Sequence, residues 1–259
     1  MPARWFLLAW ILILPAQLPA VEPGRLYTHG PAGAKRIALT FDDGPGPETP
    51  KLLDLLDRHG VKATFFLTGE MVSKWASVAR DTARRGHELG SHTFNHRNYL
   101  QHYRALAAER KAAGEAETQA RRDLVADMRR THALIQKETS VGVTLCRMPH
   151  GIDRPWVRES ARAAGHALVN WTHGADWQQG SVGELLPGYL KALRPGAIFL
   201  FHDGGRNRSK SFDLAEAVIH EARKRGFEIV TVGELLRAEA GTTSSPAVSS
   251  GSPAGRKAR

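Results

Sequence analysis

Thr40-Phe41-Asp42-Asp43-Gly44-Pro45 joins an apolar run to a turn and places two adjacent carboxylates between them. The preceding residues Ile37-Ala38-Leu39 are typical of a buried strand, and the Gly-Pro pair ends the extended segment. Because neighbouring side chains of a strand point to opposite faces, Asp42 and Asp43 can share a site only where the strand ends and the backbone turns. Taken alone, the motif is more often a polar turn with two solvated acids. The residues after the other strands favour a site.

Strands alternate with helices along the rest of the chain. The predicted strands cover residues 37–42, 63–67, 87–92, 143–148, 167–171, 197–201 and 228–231. The predicted helices cover residues 47–59, 71–85, 101–138 with a break at Gly114, 156–164, 182–193, 212–225 and 232–237. This alternation predicts an α/β fold with a parallel sheet. Seven strands indicate a distorted (β/α)7 barrel, an incomplete TIM-like barrel with its helices outside.

Polar side chains follow five of these strands. They lie in the segments Asp42-Asp43, His92 to His96, Arg147 to Gly151, Asp176-Trp177 and His202-Asp203. In a parallel barrel the carboxyl ends of all strands meet on one rim, where barrel enzymes carry out their chemistry. Two histidines four residues apart, joined by one aspartate, form an N,N,O ligand set that leaves positions open for water and substrate. Each segment alone has a plainer explanation, such as an incidental histidine pair, but their shared position predicts a metal site.

These segments resemble the five motifs of the polysaccharide deacetylases, the family 4 carbohydrate esterases with the nodulation-factor deacetylase homology domain. The matching segments are Thr40 to Pro45, Ser91 to His96, Arg147 to Gly151, Asp176-Trp177 and Leu200 to Asp203. The similarity runs from about Arg36 to Leu236 and thus covers most of the chain. The first, second and fifth motifs in this order are highly specific.

The resemblance implies a metal-dependent hydrolase that removes acetyl groups from amino sugars. Asp43, His92 and His96 are then the ligands of a divalent metal, with Zn²⁺ expected before Co²⁺, Ni²⁺ or Mn²⁺. Asp42 is the base that takes a proton from the attacking water, and His202 is the acid that protonates the leaving amine.

Supporting roles follow from the same resemblance. Arg147 pairs with the base and is expected to keep it ionised, while Asp176 pairs with the acid histidine and raises its pKa. The remaining candidates bind the substrate: Trp177 and Leu200 at the acetyl methyl, the backbone N–H of His150 at the oxyanion, and Pro149 beside it.

The third motif departs from the family pattern. His150 stands where tyrosine is usual and Met148 where proline is usual, which alters the wall of the sugar groove. The charged helical segment at about residues 97–142 is longer than the family minimum and is a candidate for shaping substrate access.

The ends of the chain differ in composition from residues 36–237, which we predict to be the catalytic domain. Residues 1–20 resemble a secretory signal peptide, with an uncleaved anchor as the alternative. A lead-in covers residues 21–35, and the Ser-, Gly- and Pro-rich residues 238–259 are predicted to be a disordered tail. The chain is therefore expected to be secreted or periplasmic in a bacterium. Its single cysteine, Cys146, cannot form a disulfide within the chain.

The formal net charge of +10 bears on the partners. With only 7% aromatic residues and no basic stripe, the sequence does not favour nucleic-acid binding. Peripheral attraction to an anionic envelope is the preferred interpretation, and a basic surface without a particular partner is the alternative. We expect a monomer acting on an acetylated polysaccharide such as peptidoglycan, poly-N-acetylglucosamine or chitin. An O-acetyl polysaccharide esterase and a catalytically idle glycan-binding relative remain alternative functions.

Overall fold

The computed structural model describes residues 21–109 and 112–237, with only the backbone of residue 113. The predicted signal peptide at residues 1–20 and the predicted tail at 238–259 lie outside the described residues and stay predictions. Across the described ranges, none of the helices is long and apolar enough to cross a bilayer.

The centre of the fold is a curled sheet whose paired strands all run parallel. The described strands are β1 (Leu26–Tyr27), β2 (Arg36–Asp42), β3 (Thr64–Leu67), β4 (Glu88–Ser91), β5 (Leu145–Cys146), β6 (Ala167–Val169), β7 (His173–Gly174), β8 (Ile198–His202) and β9 (Glu228–Val230). Their order is β1-β6-β5-β4-β3-β2-β8-β7, with β9 paired to β2. This half-barrel confirms the predicted distorted, incomplete (β/α) barrel.

Helices surround the sheet in the described part of the chain. They are α1 (Thr49–Arg58), α2 (Gly69–Lys74), α3 (Ala76–Arg84), α4 (Tyr99–Glu109), α5 (Ala113–Thr139), α6 (Pro155–Ala164), α7 (Val182–Ala192), α8 (Ser209–Lys224) and α9 (Val232–Arg237). Local sequence sets several of their ends. Ser181 and Glu184 form a capping box at the start of α7, and Gly165 follows α6 with a left-handed φ of 80°.

Each predicted strand has a counterpart, and the structure adds β1 and β7. Both added strands have two residues and, unlike the two-residue β5, do not lie within a longer apolar segment that could be recognised. β1 lies in the predicted lead-in at residues 21–35 and pairs with β6, where Leu26 faces Leu168. Part of that segment therefore belongs to the sheet.

Two helix predictions need correction. The helix predicted over residues 71–85 is two helices, α2 and α3, separated by Trp75 with a non-helical ψ of 42°. The break predicted at Gly114 lies upstream of it, between the end of α4 at Glu109 and the start of α5. Gly114 belongs to the first turn of α5, where N–H groups have no helical partner and a glycine costs little.

The alternation of side chains along β2 separates the core from the site. Ile37, Leu39 and Phe41 face the outer helices and pack with the core there, where Phe41 lies 5.3 Å from the ring of Phe65. The intervening residues Ala38, Thr40 and Asp42 face the inside of the sheet's curl. The last of them brings a carboxylate to the rim.

Candidate active site

The carboxyl ends of the parallel strands bring the five polar segments together on one rim. Asp42 ends β2 and His202 ends β8, and these two residues are paired in the strand register. His92 follows β4, Arg147 follows β5, and Asp176 comes two residues after β7. The parallel topology therefore explains why residues 160 positions apart in the sequence line one site.

Asp43, His92 and His96 converge on one point. Their ligand atoms all lie within 4.8 Å of one another. The Nε2 atoms of both histidines lie 3.5 Å from Oδ1 of Asp43. That oxygen is buried and has no hydrogen-bond partner within the described residues. A buried carboxylate oxygen facing two imidazole nitrogens fits the donor set of a divalent cation.

A hydrogen bond determines which nitrogen of His92 faces this point. Its Nδ1 lies 2.7 Å from the carbonyl oxygen of Arg147, which can only accept, so Nδ1 carries the proton and donates. Nε2 is then left with a free lone pair toward Asp43. Burial lowers the pKa of His92 from 6.5, which keeps the ring neutral.

The backbone around this point adopts unusual conformations. Asp43, His96 and His150 have positive φ values of 71°, 55° and 61°. Non-glycine residues rarely adopt this region, and such conformations cluster at functional sites. Gly204 allows the loop after β8 to approach the backbone of Asp43, because a Cβ atom there would collide with the Asp43 carbonyl.

Asp42 and Arg147 form a buried ion pair beside the candidate metal ligands. Nη1 of Arg147 donates to Oδ1 of Asp42 at 2.8 Å and to the Thr40 hydroxyl at 2.7 Å. Burial raises the pKa of Asp42 above 3.8, and Arg147 opposes that rise through its charge and its hydrogen bond. The arginine thus favours the ionised carboxylate, as expected, but burial has the larger effect, and a higher pKa makes Asp42 a stronger base.

Asp176 and His202 form the second pair on the rim. Nδ1 of His202 donates to Oδ1 of Asp176 at 2.9 Å, and the backbone N–H of His202 donates to the other oxygen at 2.9 Å. Burial alone would lower the pKa of His202. The hydrogen bond and charge of Asp176, together with the charges of Asp42 and Asp43, outweigh the effect of burial and raise that pKa above 6.5. The arrangement therefore favours a protonated imidazole.

A cavity of about 270 Å³ opens beside these groups. It is lined by Asp42, His92, His96, Met148, His150, Trp171, Trp177, Leu200 and His202. The wall therefore includes Met148, which the sequence had already connected with the sugar groove, and Trp171, which the sequence did not identify. A larger cavity of about 470 Å³ lies between α5 and α6, away from the strand ends, and contains none of the rim residues.

The sequence predicts that Pro149 is among the substrate-binding residues. It is buried and begins the short 3₁₀ turn Pro149–Gly151, but it does not line the cavity. Its fixed φ helps to turn the chain and present His150. The ring of His150 lies edge-on to that of His96, with centroids 5.0 Å apart, so its side chain as well as its backbone borders the site.

The structure adds supporting residues that the sequence reasoning missed. The Ser211 hydroxyl donates to Asp176 at 2.6 Å, and the Tyr189 hydroxyl accepts the Asp176 backbone N–H at 3.1 Å. The Thr49 hydroxyl donates to the buried Asp203 at 2.5 Å. Ser211, Tyr189 and Thr49 carry no local signal of such a role, because each acts across a long separation in the chain. Thr40 belongs to the first motif, but its contact with Arg147 is seen only in the structure.

Comparisons with known proteins agree with this architecture. The family model described as polysaccharide deacetylase matches residues 29–169. The chain is 33% identical to a peptidoglycan-N-acetylglucosamine deacetylase of Bacillus cereus, over 84% of this chain and 96% of that protein. It is 30% identical to a chitooligosaccharide deacetylase of Bradyrhizobium, over 79% of this chain and 92% of that protein.

A solved structure with a similar fold is BA3943, a CE4 family pseudoenzyme from Bacillus anthracis. The TM-score is 0.70 at 24% identity, with 83% of this chain and 72% of that chain covered. The incomplete barrel with a polar rim defines a class of enzymes that act at the ends of parallel strands. The chain belongs to the polysaccharide deacetylase family. Because the fold also accommodates a pseudoenzyme, activity depends on the rim residues.

Proposed function

We propose that this protein is a metal-dependent deacetylase that removes N-acetyl groups from amino-sugar residues of an envelope polysaccharide. The observation that carries the proposal is the unpartnered Oδ1 of Asp43, which faces His92 and His96 next to a buried base and a hydrogen-bonded histidine acid. Peptidoglycan is the preferred substrate because the Bacillus cereus relative is named for it. Poly-N-acetylglucosamine and chitin-like polymers are the other candidates.

Asp43, His92 and His96 would hold the metal. Two imidazole nitrogens and one carboxylate oxygen suit Zn²⁺, and the same donors accept Co²⁺, Ni²⁺ or Mn²⁺. When bound, a divalent cation polarises the acetyl carbonyl and lowers the pKa of water.

Asp42 would remove a proton from the water that attacks the acetyl carbonyl. Arg147 holds one carboxylate oxygen, Oδ1, at 2.8 Å. The other oxygen, Oδ2, lies 3.8 Å from Nε2 of His92 and so points toward the candidate metal position. The raised pKa of Asp42 favours proton uptake.

His202 would protonate the amine as the carbon–nitrogen bond breaks. Asp176 accepts the Nδ1 proton of His202, which leaves Nε2 as the nitrogen that delivers a proton to the substrate. The products are acetate and the free amino sugar. The proton taken up by Asp42 and the one given by His202 balance the hydrolysis.

The cavity suits a sugar carrying a small acyl group. Trp177 is 50% exposed, and its ring lies edge-on to His202 with centroids 5.4 Å apart. Leu200 lines the same cavity and offers an apolar contact for the acetyl methyl. The backbone N–H of His150 is the candidate partner of the oxyanion.

An O-acetyl esterase is the alternative within the same chemistry, because the same groups hydrolyse esters. An idle glycan-binding relative is the alternative outside it. That function would require the loss of a ligand, the base or the acid, and each of these groups is present on the rim with the partners described above.

Mass spectrometry of acetate release tests the proposal. The panel contains peptidoglycan fragments, poly-N-acetylglucosamine oligomers, chitooligosaccharides and an O-acetylated polysaccharide. We expect release from an N-acetylated substrate by the metal-loaded protein, and its loss after chelation and in Asp42→Asn. Turnover that persists after chelation would overturn the metal dependence, and turnover that persists in Asp42→Asn would overturn the base assignment.

We also propose export to the cell envelope, directed by residues 1–20. Fractionation of cells that express the full chain, followed by N-terminal sequencing, tests this localisation. Recovery of the unprocessed chain in the membrane fraction would indicate an uncleaved anchor, and recovery in the cytosol would contradict export.

A further inference from the structure

A second cluster of metal-ligating side chains lies outside the rim. It consists of His59 at the end of α1 and the pair Glu216 and His220 on α8. One ligand atom from each residue lies within 4.8 Å of the others. Nε2 of His59 is 2.8 Å from Oε1 of Glu216, and the rings of His59 and His220 meet edge-on with centroids 4.9 Å apart.

The topology places this cluster at the opposite end of the barrel from the rim. His59 lies at the C-terminal end of α1, where the chain turns back to the start of β3. His220 lies near the C-terminal end of α8, just before the chain enters β9, whose first residue pairs with Arg36 at the start of β2. In barrels of this kind, the end at which the strands begin serves stability rather than catalysis.

The three residues are arranged as a ligand set rather than as scattered surface groups. Glu216 and His220 are four residues apart, so both project from the same face of α8. His59 approaches from the other helix, with a side chain that is only 14% exposed. The Arg223 guanidinium donates to the His59 carbonyl and helps to hold that residue in place.

We propose that His59, Glu216 and His220 form a second metal site that binds Zn²⁺ or a similar borderline divalent cation and links α1 to α8. Two imidazoles and one carboxylate are a recognised zinc donor set, and the fourth position is open to water. The neighbouring cations Arg58 and Arg223 oppose a bound cation and so weaken its binding at this site. Its effect is on stability, because it joins two helices that flank the central strands.

Metal stoichiometry of the tag-free chain is the first test. After equilibration with Zn²⁺ and removal of free metal, we expect two equivalents in the wild type, one in His220→Ala and one in His96→Ala. The double variant is expected to bind none. Cobalt substitution of His96→Ala should give a visible d–d spectrum that disappears in the double variant.

Matched variants on α8 separate ligation from a general loss of charge. Glu216→Gln removes a proposed ligand. Glu221→Gln removes another carboxylate of α8, which pairs with Arg225 just after the helix. In the His96→Ala background, Zn²⁺ should raise the Tm on the order of 5 °C. Glu216→Gln should abolish that shift and Glu221→Gln should retain it.

Two results would overturn the second site. The first is a zinc content of His220→Ala equal to that of the wild type. The second is a zinc-induced rise in Tm that is equal in Glu216→Gln and Glu221→Gln. These readouts do not use acetate release, so failure of this inference is distinguishable from failure of the proposed function.

Discussion

The guanidinium of Arg147 lies 2.8 Å from Oδ1 of Asp42, in surroundings where the two residues are 0% and 2% exposed. Burial raises the pKa of the carboxylate and lowers that of the guanidinium, while the charge of each partner works in the opposite direction. The arginine also donates to the carbonyls of Val169 and Asn170 at 3.0 and 3.1 Å. The pair therefore connects the predicted base to the backbone on the far side of the sheet's curl.

Removing Arg147 should destabilise the protein strongly. Arg147→Met leaves the Asp42 carboxylate buried without its partner, and losing one member of a buried ion pair costs about 3–5 kcal/mol. Urea unfolding monitored by tryptophan fluorescence measures the change. The exposed Arg154→Met is the control and should change the free energy of unfolding by less than about 0.5 kcal/mol. Equal stability of the two variants would contradict this account of the pair.

His202→Ala should lose turnover and keep its metal. Because the residue is proposed to donate a proton and not to bind the cation, kcat should fall by about 10²–10⁴-fold. Metal analysis of the purified variant should match the wild type. A variant that purifies without metal at the rim would instead identify His202 as a ligand.

Asp176→Asn should shift the alkaline limb of the pH profile of kcat toward lower pH. The acid must be protonated, and the hydrogen bond and charge of Asp176 raise the pKa of His202. Without that charge the pKa of His202 falls, so the acid form is lost earlier as the pH rises. The control is Asp213→Asn, an exposed acid on α8. An unchanged limb in Asp176→Asn would assign the limb to another group.

Thr49→Val should destabilise the fold near the turn that carries Asp43, a proposed metal ligand. The Thr49 hydroxyl donates to the Asp203 carboxylate and accepts the backbone N–H of Gly46 at 2.8 Å. Asp203 is buried, and burial raises its pKa to about 7. Losing the hydroxyl leaves buried polar groups unpaired, which costs about 1–3 kcal/mol.

Thermal and urea unfolding at one pH test this prediction. Thr118→Val is the matched control, because Thr118 is exposed and its hydroxyl bonds within its own helix to Gly114. A Thr49→Val variant as stable as the control would show that Asp203 does not need this donor.

The local sequence pattern was sufficient to predict the strands and helices that are long or strongly apolar. The apolar run before Asp42 forms β2, and the apolar run before His202 forms β8. The carboxyl ends of these two strands lie on the same rim because the strands are parallel. The two-residue strands β1 and β7 and the break at Trp75 escaped prediction. A two-residue strand is defined by its pairing with a distant partner rather than by local periodicity.

The identity of the rim residues was readable from the chain itself, because strand ends, histidine spacing and motif order are local properties. Tertiary structure alone decided what supports them. Ser211 reaches Asp176, Thr49 reaches Asp203, and Trp171 lines the cavity wall. Hydrogen bonds and cavity walls form between side chains that are distant in sequence and become neighbours only when the barrel curls, so no local pattern encodes them.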